Sequence, residues 1–144
     1  MYIKQLTVFI ENREGRLEKV SETLKANGIN IASLSLADTS EYGLLRMIVS
    51  DPEKAKQVLK ENGFSAMLTD VLAVRIADEI GMLQPLLKAL SDKTLNIEYM
   101  YALTNGGHNA AMIIKVNNLE KAVAAINDSN LELISPEEAY TVNK

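Results

Sequence analysis

The sequence lacks residues that many metal sites and reaction centres require. It has no cysteine and only one histidine among 144 residues. Without cysteine the chain forms no disulfide, no thiolate metal site and no cysteine nucleophile. The histidine, His108, lies in a predicted hairpin loop without a second histidine, which favours a surface residue over a metal ligand or general base. The formal net charge of -4 also gives no excess of Lys and Arg for a nucleic-acid partner.

Long hydrophobic runs are absent as well. No apolar stretch reaches the roughly 20 residues that a membrane-spanning helix needs. The first residues, Met1 to Gln5, enter a strand pattern directly, without the apolar region of a signal peptide. We therefore expect a cytoplasmic protein that has no membrane partner.

One short motif is present twice. Residues Asn12 to Leu17 read Asn-Arg-Glu-Gly-Arg-Leu, and 66 positions later residues Asp78 to Leu83 read Asp-Glu-Ile-Gly-Met-Leu. Both copies follow an apolar run typical of a strand and precede an apolar spacing typical of an amphipathic helix. The repeat divides the chain into two predicted modules, residues 1–70 and 71–144.

The glycine of this motif determines its predicted chemistry. Gly15 and Gly81 can adopt backbone conformations that other residues resist, and they let a ligand approach the main-chain amides closely. The free N–H groups that start the following helix attract anions, together with the positive end of the helix dipole. The turn is therefore a predicted site for a small anion such as a carboxylate. Asn12 and Asp78 are also well placed as helix N-caps, an interpretation compatible with ligand binding.

The spacing of apolar residues predicts the element order βαββαβ in each module. In the first module, alternation from Ile3 to Ile10 predicts a half-buried strand, and Asn27-Gly28 is a typical helix end. A shift of the alternation at Ser33 indicates either a bulge in the second strand or burial of both of its faces. Residues Ser50 to Glu53 resemble a capping box with proline in the first helical turn.

The second module repeats these elements to the end of the chain. Its last strand is predicted from Leu131 to Ile134, with Ala139 to Val142 trailing as a strand after Ser135-Pro136. The order βαββαβ indicates an α+β fold of two tandem ferredoxin-like modules, each an antiparallel four-stranded sheet with both helices on one face.

Two other uses of this fold disagree with the composition. An RNA-recognition module exposes aromatic side chains on its third strand, whereas Leu44 to Met47 contains none and the whole chain has two phenylalanines. A heavy-metal carrier needs paired cysteines in its first loop, and the chain has none.

The whole chain resembles the ACT domain, a regulatory module of many enzymes of amino-acid metabolism, as two tandem copies. The resemblance rests on the Asn/Asp-x-x-Gly-x-Leu turn, present at Asn12 and Asp78, and on an Asn-Ile pair that opens the second strand, present at Asn30 and Asn96. It implies that two modules join side by side into one eight-stranded sheet with helices on one face. It also implies that an amino acid binds at the interface between the modules.

The resemblance assigns roles to particular residues. The amides around Gly15 or Gly81 would hold the ligand carboxylate, and Asn12 or Asp78, with Asn30 or Asn96, would hold its ammonium group. The apolar part of the ligand would contact Leu17, Ile31, Leu83 and Ile97. The remaining residues of the two turns are candidates by position: Arg13, Glu14, Arg16, Ile80 and Met82.

The two turns differ from the common family pattern and from each other. Glu14 and Ile80 replace the proline that often precedes the glycine. Asp78 is charged where Asn12 is neutral, so it repels a carboxylate and the two sites should differ in affinity. Arg13 and Arg16 flank the first turn alone and can attract a carboxylate. We therefore expect the first turn to be the stronger site.

These observations favour a non-catalytic regulatory protein that binds an amino acid and needs no cofactor. The acidic pairs Asp78-Glu79 and Glu137-Glu138 are better explained as solvated loop charges than as acid–base catalysts. Exposed strand edges predict a homodimer, and a partner enzyme of amino-acid metabolism is a further expectation. The alternative is a protein–protein interaction module without a small-molecule ligand.

Overall fold

The structure is a computed structural model that describes residues 2–11, 13–38, 41–77, 79–103 and 109–141. The predicted His108 loop lies outside the described residues. The chain divides into two compact units, Lys4–Thr69, here the first unit, and Met1–Ile3 with Asp70–Lys144, here the second unit. The elements in chain order are β1 (Ile3–Glu11), α1 (Arg16–Ala26), β2 (Ile31–Asp38), β3 (Tyr42–Val49), α2 (Pro52–Glu61), β4 (Ser65–Ala77), α3 (Gln84–Ser91), β5 (Ile97–Leu103), β6 (Asn109–Val116), α4 (Leu119–Asp128), β7 (Glu132–Leu133) and α5 (Pro136–Thr141).

The first unit has the predicted βαββαβ order, with two helices on one face of an antiparallel sheet. Strand β3 lies between β2 and β1, and Leu6, Val8 and Ile10 of β1 face Met47, Leu45 and Gly43 of β3. The apolar faces of α1 and α2 complete this core through Val20, Leu24, Ala55 and Leu59. Burying these side chains removes apolar surface from water, which is the main favourable contribution to folding.

The second unit repeats the arrangement. Leu72, Val74 and Ile76 of β4 face Ile114, Met112 and Ala110 of β6, and α3 and α4 close the core through Leu86, Leu90, Ala122 and Ile126. The prediction of tandem ferredoxin-like modules is therefore confirmed. The described residues contain seven strands rather than eight, because β4 runs without a break from Ser65 to Ala77 and supplies the last strand of one module and the first of the next.

Two local predictions are confirmed in the first unit. Helix α1 ends at Ala26, and Gly28 follows with a left-handed φ of 70°. The bulge expected at Ser33 is present as a register shift between Ile31 and Ser33. The same shift occurs between Ile97 and Tyr99 in the second unit.

The segment Ser50 to Glu53 differs from the predicted capping box. The N-cap of α2 is Asp51, whose Oδ1 accepts a hydrogen bond of 3.2 Å from the Lys54 amide. The Ser50 hydroxyl instead accepts a bond of 2.9 Å from the Asn30 amide, and the Ser50 amide donates to the Asn30 carbonyl. Ser50 therefore fixes the start of β2 rather than the start of the helix.

The prediction that β1 is half-buried is wrong. Gln5 and Thr7, which alternation places on the solvent side, are 0% and 6% exposed. Gln5 Nε2 donates to Thr7 Oγ1 at 3.0 Å, and Thr7 Oγ1 lies 3.1 Å from Thr69 Oγ1. Their hydrogen bonds offset the cost of burying polar groups on the second face of the strand.

The prediction of a trailing strand from Ala139 to Val142 is also wrong. Residues Pro136–Thr141 form the short helix α5, and Val142 lies outside the described residues. The Ser135 hydroxyl accepts a hydrogen bond of 3.2 Å from the Glu138 amide. A serine cap, a proline in the first turn and two acidic residues are typical helix-start signals, so local capping prevails over the weak strand pattern.

The C-terminal segment, residues 132–141, is attached to β4 by three kinds of contact. Strand β7 pairs with β4, the Ile134 amide donates to the Ala73 carbonyl at 2.8 Å, and Arg75 of β4 donates hydrogen bonds to Glu132 and Glu138. The hydrogen bond to Glu132 has the largest effect, followed by that to Glu138, and both raise the pKa of Arg75 above its ordinary value. The guanidinium therefore holds β7 and α5 together on one strand.

None of the helices within the described ranges has the length and apolar character needed to cross a membrane.

Replacing Arg75 with methionine should loosen the C-terminal segment without unfolding the unit. We expect the Ile134 amide to exchange with solvent about two- to fivefold faster, the range that partly exposed ion pairs support. Hydrogen exchange followed by NMR measures this change. The control is Lys88→Met, because Lys88 of α3 pairs with Asp92, the C-cap of the same helix. Equal protection of Ile134 in both variants would contradict the attachment through Arg75.

Thr94 is strained at the position where the first unit has Gly28. The φ of Thr94 is 58°. The amide of the next residue, Leu95, donates a hydrogen bond of 3.0 Å to the Leu90 carbonyl, just as the Ile29 amide donates to the Leu24 carbonyl after Gly28. A β-branched residue resists this left-handed conformation. We expect Thr94→Gly to raise the free energy of unfolding by about 1 kcal/mol in urea denaturation. Thr94→Ala is the control, since alanine keeps the backbone penalty, and equal stability of the two variants would contradict the explanation.

Candidate functional site

The repeated turn has the same backbone in both units. Gly15 has φ 81° and Gly81 has φ 80°. The Arg13 amide donates to Glu11 O at 2.8 Å, and the Glu79 amide donates to Ala77 O at 2.9 Å. A Cβ added at either glycine would meet no atom within 4 Å. The glycines are therefore required by the left-handed backbone, and the space beside them is open to a ligand.

The helices that follow the two turns start differently from the helices that follow the hairpins. Helices α2 and α4 have side-chain caps, from Asp51 to the Lys54 amide and from Asn118 to the Lys121 amide. Helices α1 and α3 have Gly15 and Leu83 at the N-cap, and neither residue makes a side-chain cap bond. The first amide of each helix donates instead to a carbonyl of the turn, from Arg16 to Arg13 O at 3.5 Å and from Gln84 to Gly81 O at 3.3 Å. The next amides receive no side-chain cap from Gly15 or Leu83, which leaves them suited to an anion.

The alternative that Asn12 and Asp78 are N-caps is wrong. The helices begin at Arg16 and Gln84, four and six residues further along, with Gly15 and Leu83 as the capping positions. The apolar spacing predicts Leu83 inside the helix, but the structure places it at the N-cap, one residue before α3 begins. Asn12 and Asp78 themselves lie outside the described residues, so their roles toward a ligand stay predictions.

A cleft of about 300 Å³ opens beside the first turn, entirely within the first unit. Its walls are mostly apolar, and Leu17 and Leu36 are 39% and 49% exposed there. Two charged side chains line it, and Arg13 Nε lies 3.3 Å from Glu11 Oε2. The lining residues are Ile10, Glu11, Arg13, Leu17, Leu36, Ala37 and Gly43.

This composition matches a small zwitterion that carries an apolar group. Arg13 and the first amides of α1 can take a carboxylate, and Glu11 can take an ammonium group. Leu17 and Leu36 provide an apolar surface for the rest of the ligand. A volume of about 300 Å³ is at the small end of the usual range of ligand sites, about 300–1,000 Å³.

Arg16 does not have the environment expected of a side chain that binds the carboxylate of a ligand. Its guanidinium carbon lies 4.5 Å from the centre of the Phe64 ring, a cation–π contact. Its Nε is buried without a hydrogen-bond partner among the described residues. Arg16 is not among the cleft residues, whereas Arg13 is. Glu14, also predicted, is exposed.

The second turn has the same backbone but different side chains. Glu79 occupies the position of Arg13, and Ile80, fully exposed, occupies that of Glu14. Met82, at the position of Arg16, packs against the core of the second unit. Leu83 is 40% exposed. A carboxylate at this turn would meet a negative side chain where the first turn offers a positive one.

The predicted Asn-Ile pairs are not beside the turn of their own unit. Asn30 and Ile31 line a separate cleft of about 400 Å³ with Ser21, Lys25, Gly28 and Ile29, at the opposite end of β2 from Leu36. The Asn96 amide donates to Asn117 Oδ1 at 3.0 Å, as Asn30 does to Ser50. Ile97 packs against the core of the second unit. The pairs thus have a structural role at the start of β2 and β5.

The sequence did not predict three of the residues that line the cleft. Gly43 is here called its floor and Leu36 its outer wall. Leu36, Ala37 and Gly43 come from β2 and β3, and their distance from the turn in sequence concealed them. A glycine inside a strand often marks a close approach, but the sequence predicts the third strand only from Leu44, whereas Gly43 lies within β3. In the part of the chain that the structure describes, no three Asp, Glu or His side chains are placed to hold a metal ion.

Comparison with known proteins agrees with this fold. The family model of the ACT domain pair matches residues 1–142. No curated protein sequence matches the chain. The crystal structure of protein BT0572 from Bacteroides thetaiotaomicron is 36% identical, with a TM-score of 0.92 over 98% of this chain and 97% of that one.

More distant structures share the fold alone. The regulatory subunit of aspartate kinase from Thermus thermophilus, in its ligand-free form, is 19% identical, with a TM-score of 0.63 over 89% of this chain and 93% of that one. The corresponding subunit from Thermus flavus is 18% identical, with a TM-score of 0.60 over 90% and 94%. Together with the repeated glycine turn and the βαββαβ order, the family match shows that this chain belongs to the ACT domain family, as an ACT domain pair.

Proposed function

We propose that this chain is a non-catalytic regulatory protein that binds an amino acid in the cleft beside the first glycine turn. One observation carries the proposal: Arg13 of the turn, Leu17 in the first turn of α1 and Leu36 of β2 line one small cleft. An amino acid presents a carboxylate, an ammonium group and a side chain within a few ångströms, and the cleft offers a partner for each.

The regulatory part of the proposal is supported by family membership. ACT domains occur as regulatory parts of enzymes, and the similar structures from two Thermus species are named regulatory subunits of aspartate kinase. We propose that this chain likewise acts on a separate catalytic partner from amino-acid metabolism. The alternative, an interaction module without a ligand, predicts partner binding that does not depend on any amino acid.

A homodimer through β2 would complete the site. Strand β2 pairs with β3 alone among the described strands, and Leu34 and Leu36 on it are about half exposed. If two β2 strands paired antiparallel, Asn30 and Ile31 of one copy would approach the Leu36 end of the other, beside its turn. This arrangement accounts for the separation of the predicted site residues within one unit.

The dimer is tested by placing a charge on this edge. We expect wild-type protein to have twice the chain mass of 15.9 kDa in light scattering at micromolar concentration, and Leu34→Lys to have the monomer mass. The control is Met67→Lys, since Met67 is similarly exposed but lies on β4. A wild-type monomer, or a dimer that survives Leu34→Lys, would contradict pairing through β2.

The amino-acid site is tested by a matched pair of substitutions. We expect Arg13→Gln to weaken amino-acid binding about 10- to 100-fold in calorimetry, because it removes a charge-assisted hydrogen bond and leaves Glu11 unpaired beside the carboxylate. Glu79→Gln, at the same position of the second turn, should leave the affinity unchanged. The proposal fails if none of the twenty amino acids binds, or if Glu79→Gln has the larger effect.

A further inference from the structure

Gly43, in the middle of the first unit's cleft, is not explained by its backbone. It is the buried glycine on β3 opposite Ile10 of β1 and Asp38 of β2. Its φ is not in the left-handed region, unlike those of Gly15 and Gly81. Glycine inside a strand costs stability relative to alanine, so another requirement has to account for it.

The requirement is space. A Cβ on Gly43 would lie 3.2 Å from Leu36 Cδ1 and 3.3 Å from Ile10 Cγ1, closer than ordinary van der Waals contact. Both of those side chains line the cleft, as does Gly43. A methyl group at this position would therefore force these two lining side chains to shift and change the shape of the cleft.

The second unit has alanine at this position and no large side chain beside it. Ala110 of β6 faces Ile76 of β4, in the register that Gly43 has with Ile10. Likewise Ala102 faces Met112 where Leu36 faces Leu45. The first unit thus combines a large side chain on the outer wall with no side chain on the floor, and the second unit has alanine at both places.

The polar groups of the cleft lie on one side of it. Glu11 and Arg13 are the charged lining residues, and they stand 3.3 Å apart at the turn. The remaining walls, from Ile10, Leu17, Leu36 and Ala37, offer aliphatic carbon to the ligand. A polar side chain buried there would lose its hydrogen bonds to water without replacement.

We propose that Gly43 is the specificity-determining residue of the cleft, and that the ligand is an amino acid with an aliphatic side chain. The inference rests on the proposed amino-acid site. The ligand side chain lies over Gly43, between Leu17 and Leu36, while its carboxylate and ammonium group face Arg13 and Glu11. The aliphatic walls of the cleft disfavour a polar ligand side chain.

Calorimetric titration with L-leucine, L-valine, L-threonine and L-alanine tests the selection. We expect leucine or valine to bind tightest, and threonine, which has the shape of valine, to bind at least about tenfold more weakly because its hydroxyl group lacks a partner. In Gly43→Ala, leucine should bind about tenfold more weakly, whereas L-alanine should change by less than about twofold. Ala110→Gly, the matched control in the second unit, should change neither.

A second variant keeps the test decisive if Gly43→Ala fails to fold, which thermal unfolding reveals. Leu36→Ala removes the outer wall and should move the preference from leucine toward L-phenylalanine. Threonine binding as tightly as valine, or variants that weaken all amino acids alike, would overturn the role of Gly43 and leave the amino-acid site intact. Failure of wild-type protein to bind any amino acid would overturn both.

Discussion

A left-handed glycine at the end of the first strand is the constraint on which each turn depends. With φ near 80° at Gly15 and Gly81, the chain reverses tightly from a strand into a helix. The same glycine occupies the N-cap of α1 and has no side chain to satisfy the first amides. A single conformational requirement thus produces both the geometry of the turn and the electropositive helix start beside the cleft.

The two units show how one backbone supports different chemistry. Their turns, bulges and hydrogen bonds at the start of the second strand correspond closely, and Ser50 and Asn117 bond the amides of Asn30 and Asn96 in the same way. The side chains differ where a ligand would bind, with Arg13 replaced by Glu79 and Gly43 by Ala110. The glycine of the first unit lies beside the large side chain of Leu36, where the second unit has Ala102.

The repeat made much of the fold predictable. Helix ends at Asn27-Gly28, the bulge at Ser33 and the βαββαβ order depend on local chemistry that the sequence displays directly. The burial of Gln5 and Thr7 was not predictable, because it depends on what covers the second face of β1. The last helix was missed because a weak strand pattern was preferred to the capping signals at Ser135 and Pro136.

The site was predictable only in part, for a physical reason. The glycine turn is contiguous in sequence, so its amides and Arg13 were identified. The floor of the cleft comes from β3, and strand register, which brings Gly43 opposite Ile10, cannot be derived from the turn. Arg16 was assigned to the ligand by proximity, but in the structure its guanidinium stacks on Phe64.

The most direct test of the central claim is an NMR titration of isotope-labelled protein with the standard amino acids, one at a time. The account predicts that at least one amino acid perturbs the amide resonances of Gly15, Leu17, Leu36 and Gly43, and that those of Gly81 and Ala110 remain in place. Perturbations centred on Gly81, or none with any amino acid at millimolar concentration, would contradict a ligand site at the first turn.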